Sequence, residues 1–139
     1  MDVELLTLTG KKYGDKAREV IVKTTEGDIV ILPTHEPYMT IIAPGPLTIV
    51  RNDGSEDTYS VYGGVVDVTS GSQVKILVDE AEHIDDLIEE EIEQALQLAK
   101  ELKEDAKDRQ SLHRAQSLID RHQVRLNVSR IRRRPKTLR

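Results

Sequence analysis

The spacing of apolar residues changes at Ile84, and this change constrains the fold more than any other feature of the 139-residue chain. Before Ile84 the chain reads as short apolar stretches separated by turn sequences. Val74, Ile76 and Val78 recur at every second position, which is typical of a strand with one buried face. Many short strands at this spacing predict an antiparallel β-sandwich or flattened barrel over residues 1–83. The predicted turns include Gly14-Asp15, Glu26-Gly27, Asn52-Asp53-Gly54 and Gly63-Gly64.

From Ile84 onward there is no glycine, and apolar residues recur at steps of three and four. This spacing predicts two amphipathic helices. The expected apolar seam of the first helix is Ile88, Ile92, Ala95, Ala99, Leu102 and Ala106. That of the second is Leu112, Ala115, Ile119, His122 and Leu126. We therefore predict an α+β chain in two parts, with the sandwich followed by an antiparallel helical hairpin over residues 84–139.

Charge divides the predicted hairpin into two halves. Residues 84–105 hold 9 acidic and 2 basic side chains, whereas residues 106–139 hold 2 acidic and 11 basic ones. In an antiparallel hairpin the acidic start of the first helix would lie beside the basic end of the second, which includes Arg130, Arg132, Arg133 and Arg134. Each exposed ion pair contributes only about 0.2–1 kcal/mol and is screened by salt. We therefore expect a hairpin that can open.

Composition excludes several classes of protein. The chain has no cysteine, so disulfide and thiolate chemistry are absent, and it has no Phe or Trp, so the core must consist of Val, Ile and Leu. No apolar run approaches the roughly 20 residues that span a bilayer. We expect a soluble, cytoplasmic chain.

The stretch GDIVILPTHEPYMTIIAPGP, from Gly27 to Pro46, predicts a strand, a stiff loop and a second strand. Pro33 and Pro37 fix φ at two points of the loop and cannot donate to a sheet. The loop should therefore be rigid and present His35, Glu36 and Tyr38 outward, which suits a contact surface better than a catalytic centre.

Catalytic and metal-binding patterns are weak. The four histidines show no ligand spacing with one another, so we expect no metal site. Asp85 and Asp86 are interpreted as a helix N-cap with first-turn acids rather than as an acid/base pair. Gly63-Gly64 indicates a bulge or a close approach of two backbones, and His122 is expected to pack in the helical seam.

The Gly27–Pro46 stretch resembles the signature of the epsilon subunit of bacterial and chloroplast rotary proton-translocating ATP synthases. The resemblance continues through VYGGVVDV, VKILVDEAE and RLNV, at residues 61–68, 74–82 and 125–128. It implies a ten-stranded β-sandwich that binds the γ subunit and stands on the c-ring, so that it turns with the rotor. It also implies a hairpin whose second helix can swing out among the catalytic α and β subunits and inhibit ATP hydrolysis.

Site residues follow from the same resemblance. The γ-subunit contact would include Thr34, His35, Glu36 and Pro37. The c-ring contact would include Glu26, Gly27 and Asp28. The inhibitory second helix would use Arg109, Arg114, Arg121, Arg125 and Arg130.

Some members of that family bind ATP through an I-D-x-x-R-A pattern plus two arginines. Here Ile84 and Asp85 are followed by Ile88 and Glu89 where Arg and Ala are expected, although Arg121 and Arg125 occupy the second-helix positions. Replacing a phosphate-facing arginine and adding a carboxylate should weaken nucleotide binding.

The resemblance further implies a subunit with no catalytic site and no cofactor of its own, on the cytoplasmic face of a bacterial cell membrane. Two other interpretations remain open: an adaptor protein with a sandwich and a helical arm, and a nucleic-acid-binding module that uses the basic run RIRRRPK.

Overall fold

The computed structural model describes residues 1–70 and 72–131, so Arg132, Arg133, Arg134 and the rest of the basic run lie outside the described residues. The chain consists of two compact units, Met1–His83 and Ile84–Arg139. Each has its own cluster of buried apolar side chains.

The first unit is built from nine strands in the described residues. They are β1 (Asp2–Thr7), β2 (Gly10–Lys16), β3 (Glu19–Thr24), β4 (Gly27–Ile31), β5 (Tyr38–Val50), β6 (Glu56–Val61), β7 (Gly64–Thr69), β8 (Gln73–Val78) and β9 (Ala81–His83). The predicted sandwich is therefore confirmed.

Strand β5 explains how nine strands match the expected ten. It is 13 residues long, and its first part pairs with β7 while its second part pairs with β3 and β6. One sheet, called sheet one, thus runs β4-β3-β5-β6-β9, and the other, sheet two, runs β5-β7-β8-β1-β2. Because β5 serves both sheets, each has five strands.

Two details of the predicted sandwich are wrong. The sheets are not wholly antiparallel, since β1 pairs with β8 in parallel. These strands are far apart in sequence, so no tight turn dictates their relative direction. Gly14 and Asp15 are not in a turn but lie within β2, and the chain reverses instead between Thr7 and Gly10. This turn was not predicted because it contains the apolar residue Leu8, which is not typical of turn sequences.

Alternating side chains from both sheets fill the core. Val20 and Val22 of β3 and Val74 and Ile76 of β8 are at most 1% exposed, as the two-residue spacing predicts. Gly64 confirms the predicted close backbone approach. A Cβ at this position would lie 2.1 Å from the carbonyl oxygen of Leu77 on β8.

The second unit is the predicted hairpin, formed by α1 (Glu89–Asp105) and α2 (Arg109–Ile131). A short 3-10 turn at Ile84–Asp86 precedes α1. Asp108 is the N-cap of α2, because its carboxylate Oδ1 accepts a hydrogen bond from the backbone N–H of Ser111 at 2.6 Å. This hydrogen bond lowers the pKa of Asp108 below its ordinary value.

The proposed cap at Asp85 is wrong. The residue before α1 is Ile88, which has an extended backbone and no side-chain capping bond. Three acidic residues, Glu89, Glu90 and Glu91, form the first turn of α1 instead, where their charge is favourable to the helix dipole.

The apolar seam is narrower than predicted and shifted. On α1 the buried residues are Ile92, Leu96 and Ala99, whereas Leu102 is 56% exposed. At 100° per residue Leu102 lies about 90° from the centre of that buried arc. Ile88 is also exposed, since it precedes the helix. On α2, Ala115 and Leu126 are buried as predicted, and Val128 is buried as well.

Candidate interaction sites

The loop between β4 and β5 is held in one conformation by several contacts. His35 N–H donates to the carbonyl of Leu32 at 2.9 Å, which closes a four-residue turn with Pro33 at its second position. The His35 ring nitrogen Nδ1 donates to the carbonyl of Glu36 at 2.7 Å, and its ring lies 5.9 Å from that of Tyr38. The predicted order of strand, loop and strand is therefore confirmed, and these contacts are consistent with the stiffness expected of the loop.

Not every loop side chain points outward as expected. Thr34, Glu36 and Pro37 are exposed and His35 is half-buried. Tyr38, in contrast, begins β5 and packs against the sandwich core. Its ring is large and largely apolar, so burial is favourable.

An apolar row that sequence reasoning missed lies next to this loop on the outer face of sheet two. The pairing of β5, β7, β8 and β1 places Ile41, Val65, Leu77 and Leu6 side by side. Ile41 is 59% exposed and Leu77 51% exposed. Met39, two residues before Ile41, is also exposed on β5. A contiguous apolar row on a sheet face is a feature of surfaces that bind other proteins.

The predicted c-ring residues lie at the other end of β4. Glu26, Gly27 and Asp28 are exposed at the turn from β3 to β4. Thr24 fixes this turn, since its hydroxyl donates to the carbonyl of Gly27 at 2.6 Å and accepts Glu26 N–H at 3.1 Å. The two predicted contact regions are thus separated by β4, about 13 Å from Gly27 to Ile31 at ~3.3 Å per residue.

All five predicted arginines lie on α2, but they serve different faces. Arg130 faces α1, with Nε 3.3 Å from Glu89 Oε1 and Nη2 3.5 Å from Glu93 Oε1. Arg114, Arg121 and Arg125 fall within an arc of about 40° at 100° per residue. The predicted pairing of acidic start with basic end is therefore confirmed for Arg130.

The residues of the predicted nucleotide pattern are distributed over the 3-10 turn, α1 and α2. Asp85 is in the 3-10 turn, and Glu89, at the position where the I-D-x-x-R-A pattern expects alanine, accepts a hydrogen bond from Arg130 Nε. Arg125 donates from Nη1 to His122 Nδ1 at 3.0 Å. An open groove of about 490 Å³ at the turn end of the hairpin is lined by Lys100, Lys103, Glu104, Leu112, Gln116 and Ile119, and thus by none of the pattern residues.

A polar cluster at the end of the sandwich was also missed. Asp57 on β6 accepts Arg51 Nε at 2.7 Å and contacts His83 Nε2 at 3.0 Å. Burial opposes ionisation of Asp57, but these two hydrogen bonds outweigh it and lower its pKa. Burial, helped by the charge of Asp57, raises the pKa of Tyr59 to about 12. The cluster holds β9 against β6 where the chain leaves the sandwich. Arg51 and Asp57 are six residues apart, on either side of the β5–β6 turn, but His83 is 26 residues from Asp57, so no local pattern indicated the cluster.

No helix within residues 1–70 and 72–131 is both long enough and apolar enough to cross a membrane. In the same part of the chain, no group of three or more His, Asp or Glu side chains is arranged to hold a metal ion.

Residues 1–84 match the family described as the ATP synthase Delta/Epsilon chain, beta-sandwich domain. The chain is 34% identical over 133 residues to the ATP synthase epsilon chain of Herpetosiphon aurantiacus, covering 96% of each protein. It is 34% identical over 106 residues to the epsilon chain of Brucella canis, covering 76% of each.

Solved structures share the fold. A chain of the Euglena gracilis mitochondrial ATP synthase (OSCP/F1/c-ring) superposes with a TM-score of 0.75 at 21% identity, over 87% of this chain and 76% of that one. A chain of the Tetrahymena thermophila mitochondrial ATP synthase central stalk and c-ring gives a TM-score of 0.65 at 22% identity, over 93% and 96%. The identity that spans nearly the whole of a bacterial relative, together with the family match to the sandwich, shows that this protein belongs to the ATP synthase epsilon chain family.

Proposed function

We propose that this chain is a non-catalytic rotor subunit of a membrane-associated F-type ATP synthase, which couples the γ subunit to the c-ring and restrains ATP hydrolysis through its hairpin. The family membership carries the proposal. The relatives' complexes include an F1/c-ring assembly and a central stalk. We place the complex on the cytoplasmic face of a bacterial cell membrane.

The γ subunit binds the loop at Thr34–Pro37 and the apolar row beside it. Support comes from the rigidity of the loop and from the exposure of Ile41 and Leu77, whose burial would stabilise a complex by about 25 cal/mol per Å² of apolar surface. A loop that is already ordered loses little conformational entropy on binding.

The c-ring binds the turn at Glu26–Asp28. Support comes from its exposure and from the Thr24 hydrogen bonds that fix it. Two exposed carboxylates at this turn suit a partner loop with basic or amide side chains. Because the turn and the γ-binding loop lie at opposite ends of one short strand, each partner can occupy its own surface without blocking the other.

The hairpin provides the regulation. In the folded hairpin Arg130 pairs with Glu89 and Glu93. The extended helix would present a basic face to acidic segments of the catalytic subunits, formed by Arg114, Arg121 and Arg125. Arg109 adds a further positive charge at the start of α2. Exchanging one set of screened ion pairs for another requires only a small free-energy difference. MgATP binds weakly, since Glu89 brings a carboxylate to the position where relatives carry alanine.

Truncation after His83 tests this function in a reconstituted complex. The sandwich is a compact unit with its own core, so the shortened chain should still assemble with γ and the c-ring. ATP hydrolysis should rise relative to the complex with the full chain. Unchanged hydrolysis would contradict the regulatory role. Failure of the full chain to co-purify with γ and c subunits would instead favour an unrelated adaptor.

A further inference from the structure

Ser72, in the turn immediately before β8, contacts the loop between β4 and β5. Its hydroxyl donates to the carbonyl of Pro33 at 2.5 Å, over a separation of 39 residues in sequence. Neither the family match nor the proposed contacts give this serine a role. The bond is a long-range side-chain contact to the peptide that opens the loop.

The accepting carbonyl belongs to the central peptide of the turn. In a turn from Leu32 to His35, type I and type II geometries differ chiefly in the orientation of the peptide between Pro33 and Thr34. Type II requires a positive φ at Thr34, and among residues 1–70 and 72–131 Ser72 is the one non-glycine residue with a positive φ. The turn therefore has the type I orientation. Rotating that peptide would turn the Pro33 carbonyl away from Ser72.

Ser72 itself is held at a fixed place. Its φ is 61°, in the left-handed region that serine rarely adopts. Its carbonyl accepts the backbone N–H of Asp2 at 3.0 Å, at the point where β1 begins to pair with β8. Non-glycine residues in this conformation persist where surrounding contacts impose it, and they cluster at functional sites. The hydroxyl is thus presented from the sheet to the loop.

We propose that Ser72 is a positioning residue for partner binding: its hydroxyl fixes the Pro33–Thr34 peptide and thereby presents Thr34, His35 and Glu36 in the conformation that the γ subunit binds. This inference rests on the proposed γ contact of the loop. Ser72 need not touch the γ subunit itself.

Ser72→Gly is the informative substitution, because glycine adopts φ near 61° readily, so the hydroxymethyl group and its hydrogen bond are lost without added backbone strain. Ser55→Gly is the matched control. Ser55 also lies in a turn of the sandwich and donates its hydroxyl to Asp53, but it lies in the β5–β6 turn and makes no contact with the loop. The full chain with each substitution is titrated into a reconstituted ATP synthase complex that lacks it, and backbone relaxation at Thr34 and His35 is measured by NMR.

We expect Ser72→Gly to increase motion at Thr34 and His35 and to weaken binding by about two- to tenfold, a ceiling set by the net contribution of one hydrogen bond. Ser55→Gly should change neither. Unchanged relaxation in Ser72→Gly would overturn the inference, and so would a looser loop that binds as tightly as the wild type. If the wild-type chain fails to bind the complex, the proposed function fails instead, and the relaxation data still show whether Ser72 orders the loop.

Discussion

Neutralising Glu89 should open the hairpin and increase inhibition. Glu89 accepts Arg130 Nε, and its side chain is only 15% exposed, against 51% for Arg130 and 51% for Glu93. The better shielded pair should be at the upper end of the range for such ion pairs, about 1 kcal/mol, and the Glu93 pair near the lower end. Glu89→Gln should therefore shift the ratio of folded to extended hairpin about fivefold toward the extended state, since about 1.4 kcal/mol is tenfold.

The absence of cysteine makes this opening measurable. Fluorescent labels on cysteines introduced at Gln94 and Asn127, both exposed, would report the distance between α1 and α2. Glu91→Gln is the matched control, because it removes the same charge from the same turn of α1 but about 200° around the helix from Glu89. The difference between the two variants should shrink as salt rises and the Debye length falls.

In the reconstituted complex Glu89→Gln should lower ATP hydrolysis, because more of the hairpin is extended while every arginine of α2 is retained. Arg130→Gln separates the two roles of that arginine. It should open the hairpin slightly more than Glu89→Gln does, because the pairs with both Glu89 and Glu93 are lost. It should nevertheless inhibit less, since the extended helix loses one basic side chain. If Glu89→Gln opens the hairpin no more than Glu91→Gln does, the ion pair does not control the equilibrium. Faster hydrolysis by Glu89→Gln would refute the regulatory reasoning.

Three further predictions concern the sandwich. Gly64→Ala should destabilise the sandwich by about 3 kcal/mol in urea unfolding, because the new Cβ meets a backbone carbonyl. Gly27→Ala is the control: Gly27 has a positive φ but no atom within 4 Å of the new Cβ, so the substitution should cost only about 1 kcal/mol. Equal losses of stability in the two variants would contradict this prediction. The pKa of Asp57 in the folded protein lies below its ordinary value of 3.8. Its contribution to folding stability should therefore be full above pH 3.8 and be lost as the pH falls through the folded-state pKa. The difference in unfolding free energy between the wild type and Asp57→Asn should narrow as the pH falls below 3.8. Leu77→Lys should weaken γ binding without altering the unfolding midpoint. Gln73→Lys adds the same charge on the same strand and should leave γ binding unchanged. If both variants bind γ equally well, the apolar row is not part of the γ contact.

Local patterns in the sequence predicted local structure well. The two-residue spacing of Val74 and Ile76 and the prolines of the β4–β5 loop are effects of neighbouring residues, and the structure agrees with both. The start of α1 was misjudged: the helix was expected to include Ile88 but begins at Glu89, so Ile88 does not join the buried seam. Leu96 was left out for another reason. Ala95 and Leu96 lie on either side of Ile92 at 100° per residue, and spacing alone does not show which side faces α2.

Contacts that depend on register between distant strands could not be predicted. The apolar row joins four strands, and a shift of one residue in any pairing would turn its side chain into the core. In the sequence, Ile41 and Leu77 look like ordinary strand residues. Only the pairing of Val65 on β7 with both of them places the two side chains in one row. Ser72 and Pro33 are a similar case, since nothing in either neighbourhood indicates a partner 39 residues away.

Strand β4 connects the two proposed contact surfaces of the sandwich. Among the described strands it pairs with β3 alone and ends sheet one, and it carries the proposed c-ring turn at one end and the proposed γ loop at the other. An edge strand with a single partner could slide, which would move both contact surfaces together. Thr24 holds one end through Gly27, and Ser72 holds the other through Pro33. Both ends of β4 are thus bonded to side chains from outside the strand, and we expect this to limit changes in the distance between the proposed c-ring turn and the proposed γ loop under load.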